Sequence, residues 1–240
     1  MRNHLAGFGV LAALAGSAIT LPALAADMPI YHKAPPIQPH YAPVPVMLFN
    51  WTGFYVGGNL GYLWTNGSGN ATVGGVAGPV RGDGSGFVGG GQLGFNYQMS
   101  SIVLGAELDF QGSGASGTVS GGTLPVVYSG TSKMPWFGTA RGRVGYAFDN
   151  WMLYATGGVA FGETRVSGFS SNFGAFSGKA NFASWTLGGG LETALYGNWS
   201  VKGEYLYLGS PSKVPVVPTT TSLSGSTSTH LLRTGVNYRF

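Results

Sequence analysis

The sequence predicts an all-β fold: an eight-stranded antiparallel transmembrane β-barrel, preceded by an N-terminal signal peptide and a Pro-rich periplasmic arm. Three observations carry this expectation. Eight stretches alternate apolar and polar residues with period two, the pattern of strands with two unlike faces. Their connections alternate long and short, as in barrels with tight periplasmic turns and long external loops. Charged residues make up only 8% of the chain, where soluble domains carry about a quarter. A surface that faces lipid has no need of more.

The N-terminus sets the compartment. Arg2 and His4 precede a largely apolar run from Leu5 to Leu24, and Ala23-Leu24-Ala25 supplies a small-x-small cleavage site. Residues 1–25 are therefore expected to be a secretory signal peptide. Residues 26–48 follow, with prolines at 29, 35, 36, 39, 43 and 45. Proline at that density favours extended polyproline conformations, and a periplasmic arm able to touch peptidoglycan or other periplasmic partners is expected. His32 and His40 lie in it, but two histidines without a third ligand do not make a metal site. The barrel is expected over residues 49–240.

Its first strand runs Trp51–Trp64, with Phe54, Val56, Leu60 and Tyr62 opposed to Tyr55, Gly57, Asn59 and Gly61. The second, Phe87–Gln98, opposes Leu93, Phe95 and Tyr97 to Gln92, Gly94 and Asn96. In the third, Ile102–Gln111, Leu104, Leu108 and Phe110 oppose Glu107, Asp109 and Gln111. The fourth, Trp136–Phe148, sets Val144, Tyr146 and Phe148 against Thr139, Arg141 and Arg143. The remaining strands are Trp151–Gly162, Ser184–Leu195, Trp199–Leu208 and Thr229–Phe240. Each is roughly 10–14 residues, suited to crossing the bilayer at a tilt of about 40°.

The long connections, Thr65–Gly86, Gly112–Pro135, Glu163–Ala183 and Gly209–Ser228, are rich in Gly, Ser and Thr and are expected to be irregular external loops. An even strand number places both barrel termini on the periplasmic side, where a secreted N-terminal arm requires them. The expected location is the outer membrane of a Gram-negative bacterium, with outer-membrane lipid and lipopolysaccharide as surroundings.

In the strands the charges fall on the polar face: Glu107, Asp109, Glu192 and Glu204 against Arg141, Arg143, Lys202, Arg233 and Arg239. An eight-stranded barrel has room inside for side chains and little else. A lumen salt-bridge network is the expectation, with Gly57, Gly61, Gly94, Gly105, Gly145, Gly188 and Gly190 making room for the arginines. Trp51, Trp64, Trp136, Trp151, Trp185 and Trp199 stand at or near strand ends and are expected in the interfacial aromatic belts. The final Phe240 is the expected signal read by the barrel assembly machinery.

Other chemistry finds little support. Two G-x-G-x-x-G matches, starting at Gly84 and Gly112, lack the strand–helix context of a nucleotide site, so no cofactor is expected. There is no cysteine for a disulfide or thiolate site. The net charge of +4 forms no basic run and points to no nucleic-acid partner. His230, the one histidine in the barrel stretches, falls on the lipid-facing parity near an outer strand end, so no catalytic base is expected.

Several stretches resemble the alphaproteobacterial small surface-antigen barrels, the Brucella-type immunogenic outer-membrane proteins and their porin-like rhizobial relatives. They are F-N-W-T-G-F-Y-V-G-G-N-L-G-Y at Phe49–Tyr62, G-T-A-R-G-R-V-G-Y at Gly138–Tyr146 and L-Y-A-T-G-G-V-A-F-G at Leu153–Gly162. N-W-S-V-K-G-E-Y-L-Y-L at Asn198–Leu208 and N-Y-R-F at Asn237–Phe240 extend the similarity. The resemblance implies a surface-exposed integral protein serving envelope integrity, with porin activity attributed to some relatives and haem binding to others. The external stretches hold no His or Tyr pair that would carry haem binding over, only Tyr128. A structural, envelope-integrity role with a charge-filled lumen is thus the expected function. A small porin and an adhesin or receptor acting through the external loops are the alternatives.

Overall fold

The computed structural model describes residues 49–73, 76–123, 126–171, 174–210 and 220–240. The expected signal peptide and Pro-rich arm lie outside them. The eight strands are β1 (Gly53–Val73), β2 (Val76–Met99), β3 (Ile102–Thr123), β4 (Val126–Phe148), β5 (Trp151–Ser170), β6 (Gly174–Ala194), β7 (Trp199–Leu208) and β8 (Thr220–Arg239). Each pairs antiparallel with the next, and β8 returns to β1 to close the barrel. Closure runs from Tyr55↔Arg239 to Val73↔Thr220. Full closure leaves the membrane-spanning backbone with no unpaired edge, the condition for a β-structure to survive in hydrocarbon.

The faces follow parity. Phe54, Val56, Leu60, Leu93, Leu108, Val144, Leu153, Leu187 and Leu232 project outward and are exposed to the bilayer. The alternate residues of the same strands are buried or half-buried. The turns at one end are tight, with Ser100 and Asp149 at positive φ.

The other end departs from expectation. Three of the four stretches expected as loops are largely continuous sheet: β1 and β2 stay paired to Val73↔Val76, β3 and β4 to Thr123↔Val126, and β5 and β6 to Ser170↔Gly174. A strand such as β2, 24 residues long, spans roughly 80 Å at about 3.3 Å per residue. The apolar band is only about 25 Å tall. Apolar alternation fades in these stretches because both faces meet water there, while the backbone ladder continues. β7 is the exception, stopping after 10 residues at Leu208, so the sheet above Thr186 of β6 and Thr229 of β8 is not joined through it.

Candidate functional site

The lumen gathers a dense cluster of charged side chains, and it is built in three layers. The middle layer holds four carboxylates and four cations. Glu107 of β3 and Arg141 of β4 are direct cross-strand partners, as are Glu204 of β7 and Arg233 of β8. Arg141 pairs with Glu107, and reaches Asp109 and Glu204 at 2.9 Å each. Lys202 donates to both oxygens of Glu107, at 2.8 and 2.6 Å. Arg233 spans Glu204, Asp109 and Glu107 at 2.6, 3.1 and 3.3 Å. Arg143 pairs with Glu192 at 2.8 Å and lies with its guanidinium carbon 3.9 Å from the Tyr154 ring centroid. All eight side chains are at most 4% exposed.

Neutral groups complete the shell. Tyr55 donates to Glu107 at 2.7 Å, Tyr154 to Glu204 at 3.0 Å and Thr139 to Asp109 at 2.6 Å. Ser200 and Asn237 both donate to Glu192, and Gln92 donates to Asn237. Carboxylates with this many donors are well compensated for burial.

Arg239 is not part of this layer, contrary to the expectation. Its position at the last β1–β8 pair puts it at the periplasmic mouth, where it donates to the Asn50 carbonyl at 2.5 Å. Its guanidinium lies over the rings of Phe49 and Trp51, at 4.3 and 4.9 Å. Without it the middle layer is electroneutral, four against four.

Two apolar clusters flank the charges. On the periplasmic side Trp51, Val103, Ala147, Met152, Tyr154 and Ala194 form a buried cluster. Trp51 is wholly buried there and does not join an aromatic belt; it shares the inward parity of Tyr55 and Gly57. Its indole N–H donates to the Asp149 carbonyl at 3.3 Å and its backbone N–H to Gln98 at 2.7 Å. On the outer side Leu63, Val88, Phe137, Leu206, Leu208 and Leu231 belong to a second buried cluster. Sequence reasoning missed both layers, although these residues alternate with lipid-facing neighbours and so carry the inward parity.

The glycines have broader roles than making room for arginines. A Cβ at Gly105 would meet Arg143, and one at Gly61 would meet Arg233, as expected. At Gly94 and Gly190, however, it would strike the Tyr55 and Tyr154 side chains at 2.4 and 2.6 Å. Gly57, Gly145 and Gly188 give space to Asn237, Met152 and Leu206.

The other five tryptophans face outward. Trp151, Trp185 and Trp199 are exposed, and Trp64 and Trp136 are half-buried against ring neighbours. Trp64 stacks on His230 and Trp136 on Phe110, each with centroids 5.5 Å apart. His230 also contacts the Tyr205 hydroxyl, 2.7 Å from Nδ1, which makes it a member of the outer aromatic band. Phe240 is exposed on the outer wall, donating its N–H to the Phe54 carbonyl and packing edge-on against Tyr238.

A closed eight-stranded barrel with lipid on its outer face and a packed lumen defines an integral outer-membrane barrel protein. The chain belongs to the outer membrane protein beta-barrel domain family, whose model matches residues 42–240. It is 38% identical to the 31 kDa outer-membrane immunogenic protein of Brucella melitensis biotype 1, over 96% of this chain and 98% of that one. The 25 kDa outer-membrane immunogenic protein of Brucella canis is 32% identical over 91% of each chain. The 22 kDa outer membrane protein of Rhizobium leguminosarum bv. viciae is 35% identical over 68% of this chain and 66% of that one. The surface-antigen resemblance and the outer-membrane location follow from these relatives.

Proposed function

We propose that the protein is a sealed, non-enzymatic wall element of the outer membrane, contributing to envelope integrity and presenting a stiff β-wall at the cell surface. One observation carries this reading. The lumen is layered apolar–charged–apolar, with Trp51 wholly buried on one side and Phe137, Leu206 and Leu231 wholly buried on the other. A permeating ion would have to pass both apolar clusters and break pairs that hold each other out of water, which raises the barrier to conduction.

The strands that continue past the apolar band support the surface role, since they place ordered backbone outside the bilayer. That two Brucella relatives are named as immunogenic proteins is in keeping with exposure of those proteins. Planar-bilayer recording of the refolded chain tests the sealed-lumen reading. Silence at voltages that hold an intact bilayer is expected, and stepwise conductance that persists in preparations free of other porins would overturn it in favour of a small porin.

A further inference from the structure

The outer wall carries a second charge cluster that the sealed lumen does not use. Among the described residues, six charged side chains project outward from the strands: Arg81, Asp83, Lys133, Glu163, Arg165 and Lys179. Three of them form a row. Lys133 of β4 lies directly opposite Arg165 of β5, and Arg165 directly opposite Lys179 of β6. Directly opposed side chains in a sheet have Cβ atoms roughly 5 Å apart, and like charges there repel. Glu163 pairs with Arg165 and offsets one charge of the three; Lys133 and Lys179 remain exposed to solvent.

Depth decides what this row meets. Trp136 is opposite Glu163, one outward position nearer the membrane, and Trp136 with Trp185 and Tyr207 belongs to the outer aromatic band. One outward position is two residues, or about 7 Å along the strand and roughly 5 Å along the membrane normal at the usual tilt. On β4 and β5 the row sits just outside the band that marks the hydrocarbon boundary, and on β6 Lys179 lies six residues beyond Trp185. Below it the wall presents Phe161, Val159, Trp185 and Leu187 to lipid. Cations above an apolar wall, on the lipid-facing side, match an amphiphile with phosphates at its head and acyl chains beneath.

The geometry points to a docking site for one phosphorylated glycolipid of the outer leaflet, lipopolysaccharide, with its headgroup phosphates bridging Lys133, Arg165 and Lys179. Arg165 can take a phosphate through its planar fork while the lysines act as point charges. The bound phosphates turn the repulsion along the row into attraction. The site rests on the outer-membrane placement and not on the sealed lumen, so a conducting barrel would leave it standing.

Native mass spectrometry of the full refolded chain in detergent, titrated with bisphosphoryl lipid A, tests the site. The variant Lys133→Gln/Arg165→Gln/Lys179→Gln is expected to bind at least about tenfold more weakly, given the usual contribution of a basic residue at an anionic membrane surface. Removing the lipid phosphates should weaken binding to the wild-type chain comparably, and Arg81→Gln should change nothing. Equal binding by the triple variant, equal binding of phosphate-free lipid A, or displacement by millimolar inorganic phosphate would overturn the proposal. Retention of heat-modifiable migration certifies that the variant is folded. Should it fail to fold, Lys133→Gln and Lys179→Gln singly must each weaken binding by at least about twofold, and no change in either would be equally decisive against the site.

Discussion

Glu107→Gln is the sharpest probe of the lumen. Glu107 contacts four cations and one phenol: Lys202 at 2.8 and 2.6 Å, Arg141, Arg233 at 3.3 Å, Arg143 at 3.8 Å, and the Tyr55 hydroxyl at 2.7 Å. Arg141 and Arg233 retain other carboxylates, and Arg143 retains Glu192. Lys202 has no hydrogen bond other than to Glu107 among the described side-chain contacts, and its side chain is 1% exposed. Its cross-strand neighbour Glu192 is already engaged by Arg143, Ser200 and Asn237. The substitution thus leaves a buried ammonium uncompensated and the layer at four cations to three anions, which is expected to cost about 3–5 kcal/mol. Urea unfolding in lipid vesicles, followed by tryptophan emission, should show a lower midpoint at an unchanged slope. Glu107→Gln/Lys202→Met removes one charge of each sign and should recover about 2 kcal/mol or more of that loss. A loss below about 1 kcal/mol for the single variant, or no recovery in the double, would refute the neutral, mutually compensated network.

Three further outcomes follow from the layering. Arg233→Ala should destabilise the barrel by about 3–5 kcal/mol, because Glu204 and Asp109 lose a buried partner, whereas Arg239→Ala, at the mouth and without a carboxylate, should cost about 1–2 kcal/mol in the same urea titration. In single-tryptophan variants, brominated lipid should quench emission from Trp151, Trp185 and Trp199 but leave Trp51 bright; strong quenching of Trp51 would move it out of the lumen. Gly94→Ala places a methyl against the Tyr55 ring and the Ala106 carbonyl, at 2.4 and 2.7 Å, and should lower stability by about 1–3 kcal/mol through overpacking. Gly203→Ala meets nothing within 4 Å and serves as the control, expected to change the midpoint little.

Much of the barrel was legible in the sequence because a lipid-facing strand writes its geometry in period two. Leu104, Leu108 and Phe110 alternate with Glu107, Asp109 and Gln111, and that alternation alone determines which side of β3 is wall and which is lumen. Where the chemistry on the two sides becomes alike, the signal fails. Gly112–Thr123 is strand, yet it reads as loop because water lies on both faces and no apolar contrast is required. Trp51 shows the opposite failure: its parity with Tyr55 pointed inward, but its place at a strand end suggested the belt. Arg239 shares inward parity with Arg233, and what separates them is height along the barrel, which parity does not encode. Lys133 was out of reach altogether. A bulge at Met134–Pro135 sets two residues of β4 against one of β5 and reverses the parity of everything beyond it, so that Lys133 and Trp136 both face outward although their numbers differ by three.

Among the described residues, the few charges of the strands occupy the places that a membrane wall allows. Within the span, a charge on the lipid side costs a few kcal/mol at the midplane, so β3, β4, β6, β7 and β8 turn theirs inward. There the shortage of space demands that they neutralise one another, and they do so four against four, with the apolar layers keeping water from competing for the pairs. A lumen built for transport would instead need a continuous wetted path, so that an ion could exchange one set of partners for the next without crossing a dry layer. The fifth inward base, Arg239, breaks the balance only where the barrel meets the periplasm, and there it is held by rings and a carbonyl. Outside the span the constraint is lifted, and the row of Lys133, Arg165 and Lys179 carries an excess of positive charge beyond the outer aromatic band. On the reading proposed above, the interior excludes ions and the exterior attracts phosphates. On that reading, the neutral lumen holds the outer surface in place and the outer surface carries the function.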